Sequence, residues 1–189
     1  MLGNDIIDLQ AARSESNWRR KGYFQKVFSP VEQEWINTSP DPDQLVWILW
    51  SIKEAVYKAH FRITQLWEFA PAKVKITKIK LKEREALGEV AYHDKIFFSN
   101  TFISDTFVHS IALIDPLNFP TIQVLALKTL SRDYDLILRS RNLIKKDQKI
   151  IKTTEGIPNI VTKGENIPSP VSISHHGEFL GIIIKDSVE

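Results

Sequence analysis

Residues able to do chemistry concentrate in three short segments. The first, Trp50-Ser51-Ile52-Lys53-Glu54-Ala55-Val56-Tyr57-Lys58-Ala59, puts two lysines and a glutamate inside the most apolar helical run of the chain. At helical spacing Glu54 and Lys58 share a face, with Lys53 beside them. Spacing alone makes this a surface salt bridge worth roughly a few tenths of a kcal/mol. Trp35, Trp47, Trp50 and the surrounding aliphatics argue instead for burial, where a charge needs a partner or a ligand. The second segment, Gly3-Asn4-Asp5-Ile6-Ile7-Asp8, embeds acids in an apolar strand. Such an aspartate serves as an edge residue, a turn former or a ligand for a hard cation, since magnesium takes one or two carboxylates plus phosphate oxygens. Strand alternation puts Asp5 and Ile7 on one side and Asp8 on the other, so Asp5 and Asp8 are no natural chelate. The third segment is Val171-Ser172-Ile173-Ser174-His175-His176-Gly177. Its adjacent histidines point to opposite faces and no cysteine completes a set, which disfavours zinc. A serine hydroxyl and an imidazole beside a turn either grip phosphate or satisfy the loop.

The elements that must position these groups follow from patterning. Gly3–Leu9 reads as a strand, and the polar stretch Arg13–Lys26 as helical. Ser29, Pro30 and Glu32 form a helix start: N-cap serine, proline at the first position, acid in the first turn. A proline- and aspartate-rich turn opens a long helix from about Gln44 to Phe61, with Leu45, Ile48, Leu49, Ile52, Val56 and Ala59 at helical spacing. From Lys73 to Asp115 short β-type runs predict an antiparallel meander: Val74–Ile76, Ile79–Leu81, Glu89–Tyr92, Ile96–Phe98 and Phe107–Ile114. A second helix is predicted from Thr121 or later to about Leu143. Ile150–Ile151, a turn at Gly156–Pro158 and a final strand pair ending in Phe179–Ile184 complete the chain. The run from Phe107 to Asp115 echoes that from Phe179 to Asp186, each an apolar strand closed by aspartate, and is weak evidence for a repeat.

Composition sets limits on function. The chain of 189 residues is 43% hydrophobic and 25% charged, ordinary for a globular protein with one core or two small halves. It has no cysteine, which excludes disulfides and thiolate chemistry. No apolar run is long enough to span a membrane, and the N-terminus lacks a signal-peptide pattern, so a cytoplasmic location is expected. The net charge of +2 is too small to imply nucleic acid, although basic residues cluster at Arg19–Lys21 and between Arg139 and Lys149, where local anion binding remains open.

Taken in order, the segments resemble the 4′-phosphopantetheinyl transferases. Gly3-x-Asp5-Ile6, then Phe28-Ser29-Pro30-Val31-Glu32, then Trp50-x-x-Lys53-Glu54-Ala55-x-x-Lys58-Ala59 match that family's signature. Gly156-Ile157-Pro158 and Ser172-Ile173-Ser174-His175 resemble its Gly-Lys-Pro and Ser-x-Ser-His elements. The resemblance reaches from residue 3 to about residue 184, and the lysine–glutamate helix is its most specific part. It implies a Mg2+-dependent transfer of phosphopantetheine from coenzyme A to a serine of an apo acyl or peptidyl carrier protein, as in holo-acyl-carrier-protein synthases. It further implies Asp5 and Glu54 as metal ligands, with Glu54 helping to deprotonate the serine. Lys53 resembles the group that stabilises the leaving adenosine 3′,5′-bisphosphate. Lys58, Ser174 and His175 resemble the residues that hold coenzyme A. Two departures stand out. Ile7 occupies a position where some relatives carry a third acid, so a water would fill that place. Ile157 replaces the lysine of Gly-Lys-Pro, leaving a basic residue near Arg139 or Arg141 as its substitute.

The motif order implies an α+β pseudo-dimer of two similar halves, each a helix packed on an antiparallel sheet. Residues 1–116 carry the metal and Lys-Glu motifs, residues 117–189 the Gly-x-Pro and Ser-x-Ser-His motifs, an order swapped relative to the larger branch of the family. The expected assembly is a monomer with one site between halves, without nucleic-acid or membrane partners. The alternatives are a degenerate relative that binds coenzyme A or a carrier without transfer, and an unrelated interaction module.

Overall fold

The computed structural model describes residues 1–165 and 167–185. It is an α+β protein built on two five-stranded antiparallel sheets. The chain begins with strand β1 (Leu2–Asp8), followed by helices α1 (Leu9–Glu15), α2 (Tyr23–Val27), α3 (Pro30–Thr38) and α4 (Pro42–Thr64). A meander then runs through β2 (Lys75–Leu81), β3 (Glu85–Tyr92), β4 (Lys95–Ile103) and β5 (Phe107–Leu113), and β5 returns to pair with β1. After a 3-10 turn at Pro116–Thr121 the plan repeats. Strand β6 (Ile122–Lys128) leads to helix α5 (Tyr134–Arg139). A second meander, β7 (Gln148–Lys152), β8 (Pro158–Thr162), β9 (Ser169–His176) and β10 (Phe179–Lys185), brings β10 back against β6.

The strand orders, β1-β5-β4-β3-β2 and β6-β10-β9-β8-β7, are the same topology written twice. The echo between Phe107 and Phe179 therefore marks equivalent strands, since both close their sheets; Asp186 lies outside the described residues. Two sequence expectations are corrected. Residues 122–128 form a strand rather than the start of a helix, because Ile122 and Val124 are β-branched and the segment finds a hydrogen-bonding partner in β10. The polar stretch 13–26 is not one helix: α1 ends at Glu15, and α2 starts only after Gly22, whose φ of 81° is left-handed.

The long helix α4 fills the concave face of the first sheet. Asp41 caps it by accepting the Gln44 N–H at 2.9 Å, Pro42 takes the first position, and Ile48, Ile52, Val56 and Ala59 face the sheet from buried positions. β1 lies against it so closely that a Cβ on Gly3 would stand 2.2 Å from the Ala55 carbonyl oxygen. Glycine is required there by approach, and that approach brings the neighbouring Asp5 to the helix. The second half has only the six-residue α5, packed through Ile137 and Leu138 onto Val171, Leu180 and Ile182.

The halves meet along β1, β9 and β10. Leu2, Ile111, Leu113 and Ile183 form a small apolar seam, and Phe107 packs on Phe179 with ring centroids 4.8 Å apart. Arg62, near the end of α4, donates to Asn159 Oδ1 and the Pro158 carbonyl at 2.9 Å and to the Val171 carbonyl, bolting the helix to the second sheet.

Candidate active site between the two halves

Asp5 is carried inward by β1, and Glu54 and Lys58 by one face of α4. Lys58 Nζ donates to Asp5 Oδ1 at 2.9 Å, and Ser51 Oγ donates to the Asp5 carbonyl at 3.0 Å. Burial raises the Asp5 pKa, and the Lys58 charge opposes the rise. Burial also pushes Glu54 up to about 7, reinforced by the Asp5 charge and countered by Lys58. Two partly desolvated carboxylates therefore share one lysine. Such a set has spare negative charge and is suited to a hard divalent cation, which would use one or two protein carboxylates and complete its shell with water and phosphate oxygens. Among the described residues no group of three or more histidines and acidic side chains that could hold a metal ion exists. Ile7, on the same strand face as Asp5, is 3% exposed and belongs to the main core.

Lys53 is adjacent to Glu54 in sequence, but the structure does not bring it to this site. Its ammonium is fully buried, 2.8 Å from Glu32 Oε2, and donates also to the carbonyls of Pro71 and Val74. Glu32 in turn accepts the Ser29 N–H at 2.7 Å in a capping box and the Ile76 N–H at 2.8 Å. The Phe-Ser-x-x-Glu segment and Lys53 thus form one buried knot tying α3, α4 and β2 together. Burial lowers the Lys53 pKa, and Glu32 holds it up.

From the second half, strand alternation sends Ser172, Ser174 and His176 toward β1 and His175 to the opposite face. Ser174 is 3% exposed, accepts the Asn4 amide at 2.9 Å and sits in the seam rather than in open space. Asn4 also reaches His109 Nε2 at 2.9 Å, and its backbone N–H donates to Ser172 Oγ at 3.1 Å. A Cβ on Gly181 would stand 2.7 Å from His109 Nε2, so this polar seam closes only over glycine. Asp8 caps α1 and accepts the Glu178 N–H at 3.1 Å, while its own N–H donates to His176 Nδ1 at 3.2 Å. Asn4 and Asp8 thereby clamp β9 alongside β1.

His175 is exposed. Partial burial lowers its pKa, and the charges of Arg132, Lys58 and Lys152 lower it further. Lys58 belongs to the first half and Arg132 and Lys152 to the second, so charges from both halves act on one imidazole. Arg132 and Lys152 line a concavity of about 340 Å³ together with Asp133, Tyr134, Asp135 and Ile150. Sequence reasoning missed both, for Arg132 precedes α5 and Lys152 ends β7, far from any motif. The suggested substitutes for the missing lysine are elsewhere. Arg139 donates to the Gln148 carbonyl at 2.7 Å and Arg141 to Ser140 Oγ at 3.3 Å. Ile157 itself is buried.

The arrangement has a carboxylate pole in the first half (Asp5 and Glu54, with Lys58 bonded to Asp5) and a cationic group in the second (Arg132 and Lys152, whose charges act on His175). It fits a doubly anionic phosphate ester whose two ends need a cation and several basic groups. A search of curated proteins finds no match. A family model described as the 4′-phosphopantetheinyl transferase superfamily matches residues 1–111, which takes in β1, all of α1–α4 and most of β5. With more than half of its length matched, the protein belongs to the 4′-phosphopantetheinyl transferase superfamily.

Proposed function

We propose that this chain transfers 4′-phosphopantetheine from coenzyme A to a serine of an apo carrier protein, releasing adenosine 3′,5′-bisphosphate. The observation that carries this reading is the pair of carboxylates Asp5 and Glu54 beside Lys58, on the strand and helix that carry the family's motifs. Asp5 and Glu54 would hold a Mg2+ ion, which would neutralise charge on the diphosphate. Lys58 contacts the same diphosphate, exchanging its present bond to Asp5 for one to a phosphate oxygen. Glu54 would also help to deprotonate the incoming serine. His175, Arg132 and Lys152 bind the nucleotide phosphates, the last two taking the place of the lysine absent at Ile157. Ser174 contributes by fixing β9 to Asn4 rather than by touching substrate. Both poles lie in one chain, which supports a monomer acting alone.

Incubation with coenzyme A, magnesium and a panel of apo acyl and peptidyl carrier proteins tests the proposal. One carrier should gain the phosphopantetheine mass, and Asp5→Asn and Glu54→Gln should each remove most of that gain. Coenzyme A binding without modification of any carrier would favour the degenerate, non-transferring relative.

A further inference from the structure

The shortness of α5 has a consequence at the far end of the second sheet. Six helical residues cover only part of the sheet face, and beyond them a cavity of about 840 Å³ opens. Its floor is apolar: Ile144, Ile160 and Ile184 reach it from core positions. Its rim is cationic, with Arg139 at the end of α5, Lys145 and Lys146 after it and Lys185 from β10, and among the described residues no carboxylate lines it. The first three belong to the basic run between Arg139 and Lys149 that the transfer site leaves unused. Two described acids lie close by without lining it: Asp147, between Lys146 and Gln148, and Asp135, 3.8 Å from Arg139 on α5.

The cavity is separate from the cleft. Ser169, in its wall, and His175 are six residues apart on β9, roughly 20 Å of strand at ~3.3 Å per residue. An apolar floor beneath a cationic rim selects a molecule with the same division. Inorganic phosphate would leave the isoleucines in contact with water, and a neutral hydrocarbon would leave the lysines without a counter-charge. The volume lies in the range of small-molecule sites, about 300–1,000 Å³.

We propose that this cavity binds a single-chain amphipathic anion, an aliphatic chain ending in a carboxylate, with the chain on Ile144, Ile160 and Ile184 and the carboxylate at Lys145, Lys146 and Arg139. The proposal does not depend on the transferase reading, since none of these residues belongs to the cleft.

Titration of the full chain with dodecanoate, below the concentration at which it forms micelles, tests it. Saturable binding is expected, with methyl shifts at Ile144, Ile160 and Ile184 in NMR spectra. Dodecanol and inorganic phosphate should each bind about tenfold or more weaker, because each satisfies only half of the site. The double variant Lys145→Glu/Lys146→Glu changes exposed side chains and should weaken dodecanoate about tenfold or more, whereas Lys149→Glu, outside the cavity, should not. Excess coenzyme A should leave binding unchanged. Equal binding of dodecanol, displacement by coenzyme A, or unaltered affinity in the double variant would each overturn the proposal. So would attachment to anionic vesicles through the same lysines without binding of free dodecanoate, which would mark a membrane-facing patch instead.

Discussion

Replacing Lys53 by methionine separates two roles that its sequence position confounds. In the structure the ammonium is completely enclosed, bonded to Glu32 and to the carbonyls of Pro71 and Val74. Methionine refills most of the stem volume but leaves the Glu32 charge with only the Ser29 and Ile76 N–H groups, and orphans two carbonyls. Breaking a buried pair by removing one partner costs about 3–5 kcal/mol. At about 2–4 °C per kcal/mol for a chain of this size, the melting temperature should drop by about 6–20 °C. Adding Glu32→Gln to Lys53→Met removes the stranded charge and should recover part of the loss. Urea unfolding followed by circular dichroism measures stability, and transfer rates taken well below both melting transitions measure function. Activity per folded molecule should stay within about tenfold of the parent, because the side chain points away from the cleft. A Lys53→Met protein of parental stability whose turnover has collapsed would refute the reasoning and return Lys53 to the leaving phosphate.

Further outcomes follow from other parts of the structure. Gly3→Ala must push β1 from α4, since its Cβ would meet the Ala55 carbonyl oxygen at 2.2 Å and the Ala59 nitrogen at 2.4 Å; a shift of ~1 Å in Asp5 should cost about 100-fold in turnover, checked by steady-state kinetics. His109 is held down to about 4 by burial and, less, by Lys58, against an unfolded value near 6.5. The unfolded chain thus binds the extra proton first, so stability should fall as pH drops from about 6.5 to 4, by up to about 3 kcal/mol, and His109→Gln should flatten that slope in urea titrations across pH. Arg132→Ala and Lys152→Ala should each raise the KM for coenzyme A by about tenfold while leaving the carrier KM and the melting temperature unchanged, because both side chains are exposed.

Much of the first half was legible in sequence because its elements are long and strictly patterned. α4 announces itself through Leu45, Ile48, Ile52 and Val56, and the capping box at Ser29 and Glu32 through its residue types. The strand at 122–128 was not, since a seven-residue apolar run carries no decisive period and only its pairing with β10 settles the matter. Of the site, Glu54 and Lys58 could be grouped from helical spacing, whereas Asp5 joined them only through the family resemblance. Lys53 could not be separated from Glu54, because its partner Glu32 lies 21 residues upstream and only the packing of α3 on α4 reveals it. Strand alternation did hold the clue that Ser174 and His175 face opposite ways. The charges of Arg132 and Lys152 act on His175 across a sheet whose register no local pattern encodes.

The central claim is that one chain supplies both poles of the cleft. Transfer to an apo carrier protein can be followed by mass for Glu54→Gln, for His175→Ala, and for the two variants mixed. A site within one chain predicts that each variant is impaired and that the mixture performs no better than the sum of its parts. Recovery of transfer on mixing, with a trimeric mass in solution, would place Glu54 and His175 of different chains at one site and contradict the account.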